Sequence, residues 1–302
     1  MIRVLVTGSR GQVGAEVARA LAGRAEVIAH DRATLDLARP AEIAERIRAA
    51  RPDVIVNAAA YTAVDRAESE RDRARVANAE APGVIAAEAK CAGALLVHYS
   101  TDYVFDGASL RPYVEGDAPH PLNVYGETKL AGERAIAASG AAYLILRTSW
   151  VYGPRGRNFL LTILAAAAAK PELRVVDDQH GAPTSSLALA RATVEILAAR
   201  GAGPLDAASV GAAKERSGLY HASAGGETTW HGFAQAILER RAQRGDFRPP
   251  VLTAIPTREY PTPARRPANS MLSNAKLEAT FHVRLADWRE GLDEVFSALP
   301  PG

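Results

Sequence analysis

The first fourteen residues contain the feature that most constrains the fold, a short apolar run followed by three spaced glycines. Residues 2–6 have the composition of a buried strand, and the segment Gly8–Gly14 leads into a helical pattern that continues to about residue 22. Gly8 permits the tight turn, Gly11 lets the backbone approach a phosphate, and Gly14 lets helix and strand pack closely. A glycine turn without a ligand is the alternative, but its place directly after a strand favours a dinucleotide site whose helix faces a pyrophosphate.

Strand and helix patterns alternate through the amino-terminal half. Strands are predicted at residues 25–29, 53–56, 95–99 and 143–147, with helices at 40–50, 73–91 (bent or broken near Pro82) and 125–138. This alternation predicts an α/β fold with a doubly wound parallel sheet. We therefore predict a Rossmann-type NAD(P)-binding domain over residues 1–153. Residues 154–302 are expected to form mainly a smaller interleaved α/β substrate-binding domain, whose segments can return to the first.

Beyond Pro154 the pattern loosens, and residues 202–217 are expected to form a flexible loop. Composition limits the functions that fit the chain. A net charge of +2 among 302 residues does not favour a nucleic-acid binder or a binder of acidic membranes. Cys91 is the single cysteine, so an internal disulfide is impossible. No signal peptide pattern or long apolar run is present, and the cytoplasm is therefore the expected location.

The second predicted strand ends in residues suited to the adenosine end of a dinucleotide. Asp31 at this point can accept a hydrogen bond from a ribose hydroxyl, whereas the adjacent Arg32 can meet a 2′-phosphate. Asp36 and Leu37 follow and can flank an adenine ring. These residues leave the choice between NADPH and NADH open.

Three side chains are candidates for the catalytic site, Thr101 as a hydrogen-bond partner of a substrate oxygen and the pair Tyr125 and Lys129 for proton transfer. Thr101 stands at the carboxyl end of the fourth strand, where ligands bind in open α/β sheets. Tyr125 and Lys129 are four residues apart in a helical pattern and therefore share one face. An ammonium near the phenol is expected to lower the phenol's pKa, which suits it to proton transfer. Tyr-x-x-x-Lys alone is typical of many surface helices, so the interpretation depends on the glycine turn and the strand-end threonine.

Other residues near the predicted strand ends are candidates for the substrate. Asp102 follows Thr101, and Trp150 offers either a flat wall for a ligand or a core aromatic side chain. Near the carboxyl terminus, Arg265 and Arg266 lie between Pro263 and Pro267, which restrict the backbone. Paired guanidinium groups suit bidentate contacts to phosphate, although one of the two can instead anchor the segment by a salt bridge.

Several longer segments together point to one family. They are GQVG at 11–14, RPDVIVNAAAYTAVDRAE at 51–68, HYSTDYVF at 98–105, PLNVYGETKLAGE at 121–133, RTSWVY at 147–152, DDQHGAPT at 177–184 and YPTPARRPANS at 260–270. The chain resembles the extended short-chain dehydrogenase/reductase family in these segments, and within it the dTDP-4-dehydrorhamnose reductases. The matches extend from one end of the chain to the other, so they are more specific than any single motif.

This resemblance implies an NADPH- or NADH-dependent reduction of the C4 keto group of dTDP-4-dehydro-L-rhamnose, a step in making the precursor of cell-surface polysaccharide. It implies the catalytic residues Thr101, Tyr125 and Lys129. The expected cofactor-binding residues are Gly8, Gly11, Gln12, Val13, Asp31, Asp36, Leu37, Ala60, Tyr61, Thr62, Tyr99, Tyr125 and Lys129. The expected residues for the sugar nucleotide are Thr101, Asp102 and Trp150, and the reasoning on phosphate adds Arg265 and Arg266.

The sequence departs from this resemblance at a metal site. Some family members are similar in placing magnesium at a dimer interface, held by acidic side chains. Glu16 matches the first of these positions, but Ser185, Ser186 and Leu187 stand where another acid is expected. A site without metal is therefore expected, with Mg²⁺ left open as the alternative, and the protein is expected to be a monomer or a homodimer.

Two alternatives share much of this pattern. A nucleotide-sugar epimerase or dehydratase has the same glycine turn and Tyr/Lys pair, but dehydratases of this type resemble Thr-Asp-Glu at the strand end, where this chain has Thr101, Asp102 and Tyr103. The regulatory subunit of methionine adenosyltransferase also resembles these reductases and acts as a binding partner. Net consumption of NAD(P)H on a 4-ketosugar nucleotide distinguishes the three.

Overall fold

The computed structural model describes residues 1–199, 201 and 203–300. Its strands are β1 (Arg3–Thr7), β2 (Glu26–His30), β3 (Val54–Asn57), β4 (Leu95–Thr101), β5 (Ala142–Thr148), β6 (Val151–Tyr152), β7 (Glu172–Val176), β8 (His180–Gly181), β9 (Thr184–Ser185), β10 (Gly218–His221), β11 (Thr228–Thr229) and β12 (Val251–Ile255). Its helices are α1 (Gln12–Ala20), α2 (Pro40–Ala50), α3 (Val64–Ala67), α4 (Arg71–Arg75), α5 (Ala81–Ala92), α6 (Val124–Ala138), α7 (Phe159–Ala169), α8 (Ser186–Leu197), α9 (Ala207–Glu215), α10 (Trp230–Ala242), α11 (Ala275–Phe281) and α12 (Trp288–Ala298). None of the helices in these ranges is long and apolar enough to cross a membrane.

A six-stranded parallel sheet forms the centre of the molecule, in the order β10-β5-β4-β3-β1-β2. The chain runs from β1 outward to β2 and then returns across β1 to β3, so the strand order reverses between β1 and β3. Ligands of open α/β sheets bind at such a reversal, outside the carboxyl ends of the strands. The predicted α/β fold with a doubly wound parallel sheet is confirmed.

Alternate residues of the strands support two apolar layers. Along β1, Val4 and Val6 face one cluster that includes Leu189 of α8, whereas Leu5 faces a second cluster with Ile43 of α2 and Ile85 of α5. A strand with both faces covered by helices is buried throughout, which explains the continuous apolar runs in the sequence.

The carboxyl-terminal half is interleaved with this sheet. β10 completes the sheet beside β5, and α8 packs against α1. A separate cluster around Phe233 and Trp288 joins α7, α10 and α12 next to the parallel pair β7 and β12. The second half therefore contributes both to the central sheet and to a smaller layer of its own.

One local prediction differs from the structure, and another is confirmed. Within residues 202–217, predicted as a flexible loop, residues 207–215 form α9, and residue 202 lies outside the described residues. The side chain of Asp206 accepts a hydrogen bond from the backbone of Ser209, and the Ser209 hydroxyl returns to the backbone of Asp206, which is a helix-capping box without the usual glutamate. The helix predicted over 73–91, bent or broken near Pro82, is interrupted as predicted by a π-helical turn at Val76–Glu80, just before Pro82, whose ring removes one backbone donor.

A buried ion pair connects α6 to β5. Arg147 donates two hydrogen bonds to Glu133, at 2.9 and 2.6 Å, and both side chains are almost fully buried. The guanidinium of Arg147 also lies 5.0 Å from the centre of the Phe105 ring. Removing one partner of such a pair leaves an uncompensated buried charge, which typically costs about 3–5 kcal/mol.

We expect Glu133→Gln to lower the free energy of unfolding by about 3 kcal/mol, because Arg147 would keep its charge without a carboxylate. Chemical denaturation followed by circular dichroism measures this loss. Glu42→Gln is the control, since Glu42 forms an exposed pair with Arg39 and its loss should leave the denaturation midpoint nearly unchanged. Equal midpoints for Glu133→Gln and the wild type would contradict the assigned role of the pair.

Candidate active site

The glycine turn after β1 brings two backbone segments into close contact. Gly8 has a φ of +66°, and a Cβ atom on Gly14 would lie 2.3 Å from the Gly8 carbonyl oxygen. Gly11 is the N-cap of α1 and provides no side chain to satisfy the first amides of that helix. The first turn of α1 therefore presents unsatisfied N–H donors, as a pyrophosphate requires. Gln12 adds a buried side-chain oxygen without a hydrogen-bond partner among the described residues.

Asp31 lies directly after β2, as the sequence predicts for a residue that contacts the adenosine ribose. Its Oδ1 atom accepts from the backbone of Ala33 and Thr34, and its Oδ2 atom lies 2.9 Å from the Nε atom of Arg10. Although desolvation opposes the change, the Thr34 hydrogen bonds and the Arg10 charge hold the pKa of Asp31 below its usual value. Arg10, which comes from the glycine turn, is thus a second cation near the predicted ribose position and was not identified from the sequence.

Asp36 and Leu37 have different surroundings. Asp36 accepts a hydrogen bond from the backbone of Ala38 and pairs with the exposed Arg32 at 3.6 Å. The Leu37 side chain is buried in the apolar cluster beneath α2. A contact between Leu37 and the cofactor would therefore have to use its backbone.

The segment after β3 is held by an asparagine that the sequence analysis missed. Asn78, in the π-helical turn, accepts from the backbone N–H of Tyr61 at 2.8 Å and donates to its carbonyl at 3.0 Å. The hydroxyl of Tyr61 donates to Glu70. Ala60 is partly buried and Thr62 is exposed, so both lie at the surface of this strand end. A polar residue in the middle of a helix, which is disfavoured unless its side chain has a specific partner, was the available signal for Asn78.

Tyr99 points away from the strand ends. Its hydroxyl forms a 2.6 Å hydrogen bond with Thr193 of α8, and its ring lies in the core. Its backbone carbonyl instead accepts a hydrogen bond from the Lys129 ammonium group at 2.7 Å. The predicted contact between Tyr99 and the cofactor is thus limited to its backbone.

Thr101 ends β4 and caps a short 3₁₀ turn. Its hydroxyl oxygen accepts from the backbone of Tyr103 and donates to the carboxylate of Asp102, both at 3.1 Å. Tyr125, near the start of α6, lies beside the Thr101 hydroxyl. Burial raises the pKa of the Tyr125 phenol to about 12, with Thr101 opposing the rise and the Asp102 charge adding to it. Burial also raises the pKa of Asp102 to about 6, against the opposing effects of the Ser270 and Thr101 hydroxyls.

The prediction that the Tyr125 phenol has a lowered pKa is wrong for this structure. The two residues lie on one face of α6, as their spacing predicts, but the Lys129 amine bonds to the Tyr99 carbonyl and to His98. Burial therefore dominates at Tyr125 and raises its pKa. Lys129 itself is 2% exposed, and burial lowers its pKa to about 8, opposed by Glu133.

Trp150 lies at the junction of the two halves. Its ring is stacked on that of Trp230, with ring centres 3.6 Å apart and planes inclined by 9°. Trp230 is fixed in turn by a hydrogen bond to Gln179 from the segment 177–184. Trp150 has a φ of +49°, a conformation that costs a bulky residue about 1–3 kcal/mol. The pair forms an aromatic wall that is partly exposed, and no local sequence pattern connects residues 150 and 230.

The two arginines of the segment 260–270 have separate environments. Arg266 donates two hydrogen bonds to Asp65 of α3, both at 2.9 Å, and others to Thr262 and to the Ala264 carbonyl. Arg265 is exposed, and its side chain has no hydrogen-bond partner in the described part of the chain, although its carbonyl accepts from Asn123 at 2.7 Å. Arg266 thus forms the anchoring salt bridge that was anticipated for one of the pair.

Glu16, which matches the first acidic position of the magnesium-binding relatives, pairs with two arginines. It is 2% exposed and lies against Arg19 and Arg155. Ser185 caps α8 by accepting from the backbone of Ala188, and it supplies no acid. Across the described ranges, no group of three or more His, Cys, Asp or Glu side chains is arranged to hold a metal ion. The absence of a metal stays a prediction.

Comparison with known proteins identifies the family. The model of the RmlD substrate binding domain family matches residues 2–300. The chain belongs to this family. A dTDP-4-dehydrorhamnose reductase of Burkholderia thailandensis is 48% identical over 295 residues, which cover 95% of this chain and 96% of the relative.

Solved structures of the same family agree with this assignment. A dTDP-4-dehydrorhamnose reductase of Clostridium acetobutylicum superposes with a TM-score of 0.88 at 35% identity, covering 98% of this chain and 99% of its own. One from Bacillus anthracis, solved in complex with NADP, gives a TM-score of 0.88 at 32% identity with the same coverage. The RmlD family model and these relatives confirm the resemblance drawn from the sequence motifs.

In this member of the RmlD family, we expect Asp102→Asn to stabilise the fold at pH 7 by about 2 kcal/mol. The folded-state pKa of about 6 exceeds the unfolded value of about 3.9, so the folded state binds more protons between these values. Stability is therefore lost as the pH rises through this window, and the amide removes that loss. Urea denaturation at pH 7 and pH 4 measures the difference, which should nearly vanish at pH 4. An equal stabilisation by Asp102→Asn at both pH values would contradict the raised pKa assigned to Asp102.

Proposed function

We propose that the protein is a reductase that converts the C4 keto group of dTDP-4-dehydro-L-rhamnose to a hydroxyl, with NADPH or NADH as reductant. Membership of the RmlD family and the curated relatives supports this substrate. The observation that carries the chemistry is the placement of Tyr125 beside Thr101 at the carboxyl end of β4. Both residues lie on the side of the sheet where the strands have their carboxyl ends, and the glycine turn after β1 lies on the same side.

The residues present fit a dinucleotide. The uncapped first turn of α1 would hold the pyrophosphate, and Asp31 would accept from a ribose hydroxyl, with Arg10 and Arg32 as the cations near a 2′-phosphate. The backbone around Ala60 and Tyr61, fixed by Asn78, would line the remaining length of the cofactor. NADPH or NADH, when bound, supplies the hydride.

The remaining chemistry belongs to the side chains. With a pKa raised to about 12, the Tyr125 phenol holds its proton at neutral pH and can transfer it to the oxygen at C4 as negative charge develops there. The Thr101 hydroxyl would hydrogen-bond the same oxygen and orient it. Lys129, when charged, would favour the phenolate that remains on Tyr125 after the transfer.

The sugar nucleotide would lie mainly against the second half of the chain. The glycine turn is reserved for the pyrophosphate of the cofactor, so the diphosphate of the substrate needs a different cation, and Arg265 is exposed near Asn123. The Trp150–Trp230 pair would provide an apolar wall for the sugar. We further infer a cytoplasmic enzyme, monomeric or homodimeric, with the cofactor on residues 1–153 and the substrate mainly on 154–302.

The test is to mix the purified protein with dTDP-4-dehydro-L-rhamnose and either NADPH or NADH, and to follow absorbance and the sugar product. Stoichiometric oxidation of either cofactor with formation of dTDP-L-rhamnose supports the proposal. Conversion of a nucleotide sugar without net oxidation would instead indicate an epimerase or dehydratase. No turnover, together with tight binding to a methionine adenosyltransferase, would indicate a regulatory subunit.

Tyr125→Phe keeps the ring and removes the proton donor. We expect kcat to fall by about 10²–10⁴, the usual contribution of general acid catalysis, with the Kd for NADPH little changed. Tyr103→Phe is the matched control, because Tyr103 lies edge-on to Tyr125 with ring centres 5.6 Å apart but has no assigned proton transfer. Turnover at the wild-type rate in Tyr125→Phe would exclude the assigned role.

Arg265→Ala and Arg266→Ala should behave differently, since only Arg266 is held by Asp65. We expect Arg265→Ala to raise the KM for the sugar nucleotide by about tenfold or more, the effect of losing one charge-assisted contact, without altering thermal stability. Arg266→Ala, in contrast to Arg265→Ala, should lower thermal stability, because it removes the hydrogen bonds to Asp65. Steady-state kinetics, with the Kd for NADPH measured by fluorescence, separates the effects. A loss of NADPH affinity with an unchanged substrate KM in Arg265→Ala would show that this assignment is wrong.

A further inference from the structure

A row of polar side chains crosses the centre of the sheet and ends at Lys129. Thr7 of β1, Asn57 of β3 and His98 of β4 are successive register partners on adjacent strands, and each is no more than 1% exposed. The Thr7 hydroxyl donates to Asn57 Oδ1 at 2.6 Å, and Asn57 Nδ2 lies 2.9 Å from His98 Nδ1. His98 Nε2 lies 3.1 Å from Lys129 Nζ. Four side chains from three strands and one helix thus form one continuous hydrogen-bonded chain.

Few charged groups lie near Lys129. Glu133 lies one turn further along α6 and is paired with Arg147 of β5, while Tyr125 lies one turn earlier. From β4, Lys129 meets the Tyr99 carbonyl and the His98 imidazole. Burial, helped by the Lys129 charge, holds the pKa of His98 well below its usual value. The His98 ring is therefore neutral at pH 7, with one N–H donor and one acceptor nitrogen.

Because the His98 imidazole is neutral, the donor-to-acceptor direction of the hydrogen bonds along the polar row depends on the charge of Lys129. If Lys129 is an ammonium ion, His98 Nε2 must accept, so Nδ1 carries the proton and needs the Asn57 oxygen. If Lys129 is neutral, Nε2–H donates to the amine and Nδ1 accepts from the Asn57 amide group. The Asn57 amide is oriented as the second arrangement requires, with Nδ2 toward His98 Nδ1 and with Oδ1 accepting from the Thr7 hydroxyl. Reversal requires a proton shift between the ring nitrogens and a half-turn of the amide.

We propose that His98 is a positioning residue that, together with Asn57 and Thr7, holds Lys129 and controls its protonation, and through Lys129 the acidity of Tyr125. The proposal rests on the proposed reduction, which needs an acid at Tyr125. The polar row also reaches the glycine turn, because Thr7 directly precedes Gly8 and its hydroxyl accepts from the backbone of Ala59 at 3.3 Å. The backbone expected to meet the cofactor is therefore connected to Lys129 by side chains alone.

The pH profile of kcat/KM for the sugar nucleotide tests this role. Activity should fall on the basic side as Lys129 loses its proton, because a neutral amine no longer favours the phenolate. His98→Leu removes the acceptor that stabilises the ammonium ion, so the basic limb should move down by about one pH unit, a tenfold change in the acid dissociation constant. His98→Gln keeps an acceptor and should leave the limb near its wild-type position. Asn57→Asp fixes Nε2 as the acceptor and adds negative charge, so the limb should move up.

His221→Phe is the control for losing a buried imidazole. His221 lies on β10, where its Nδ1 atom is 3.1 Å from the Tyr113 carbonyl, outside the polar row. We expect this variant to leave the basic limb unchanged. Uniform loss of activity in His98→Leu and Asn57→Asp, without a shift of the limb, would reduce His98 to a structural residue and overturn the proposal. If His98→Leu does not fold, the upward shift in Asn57→Asp decides.

Nitrogen NMR of the histidine side chains provides a readout without substrate. We expect His98 to remain neutral and to change from the Nδ1–H to the Nε2–H tautomer at about pH 8, as Lys129 titrates. The change should be absent in Lys129→Met. A single tautomer across the titration would overturn the proposal. A tautomer change in a protein that fails to reduce dTDP-4-dehydro-L-rhamnose would leave the polar row standing and refute only the proposed reduction.

Discussion

The parallel register of the central sheet is the constraint on which the rest of the structure depends. It aligns Thr7 with Asn57 and Asn57 with His98, and it places Thr101 opposite Thr148 at the ends of β4 and β5. A shift of one residue would turn each strand's side chains to the opposite face and would put the polar row into an apolar layer. The same register brings the turn at Gly8 against Ala58 and Ala59, at a distance that leaves no room for a side chain. The arrangement of the site is thus determined by strand pairing.

Desolvation explains the electrostatics of this site. Burial raises the pKa of Asp102 and Tyr125 and lowers that of Lys129, so in each case it favours the neutral form. A phenol that keeps its proton is suited to the direction of a reduction, in which the group must donate. The cost is that the phenolate formed afterwards is unfavourable without a nearby cation. Lys129 can supply that cation only while it is protonated, which makes its few hydrogen-bond partners important.

Local patterns in the sequence were sufficient for the fold and for part of the candidate site. The glycine spacing, the alternation of strands and helices, and the four-residue separation of Tyr125 and Lys129 all depend on short-range geometry, and the structure shows the corresponding turn, sheet and helix face. The capping box of α9 was missed because its second member is Ser209 and not the usual glutamate. The partners of Lys129 and of Trp150 were missed for another reason: His98 and Trp230 are set by strand register and by packing between distant segments, which local spacing does not encode.

The carboxyl-terminal half is coupled to the site by contacts of this long-range kind. Arg266 donates a hydrogen bond to Asp65, 201 residues earlier in the sequence. The carbonyl of Arg265 accepts a hydrogen bond from Asn123, the residue that caps α6. Because Asn123 also accepts from the backbone of Gly126, the segment 260–270 is attached to the turn of helix that carries Tyr125. A displacement of this segment is therefore transmitted to Tyr125, the proposed acid, through the side chain of Asn123. The proline-restricted backbone on either side of the arginines limits how far the segment can move, and so helps to keep that turn of α6 in place.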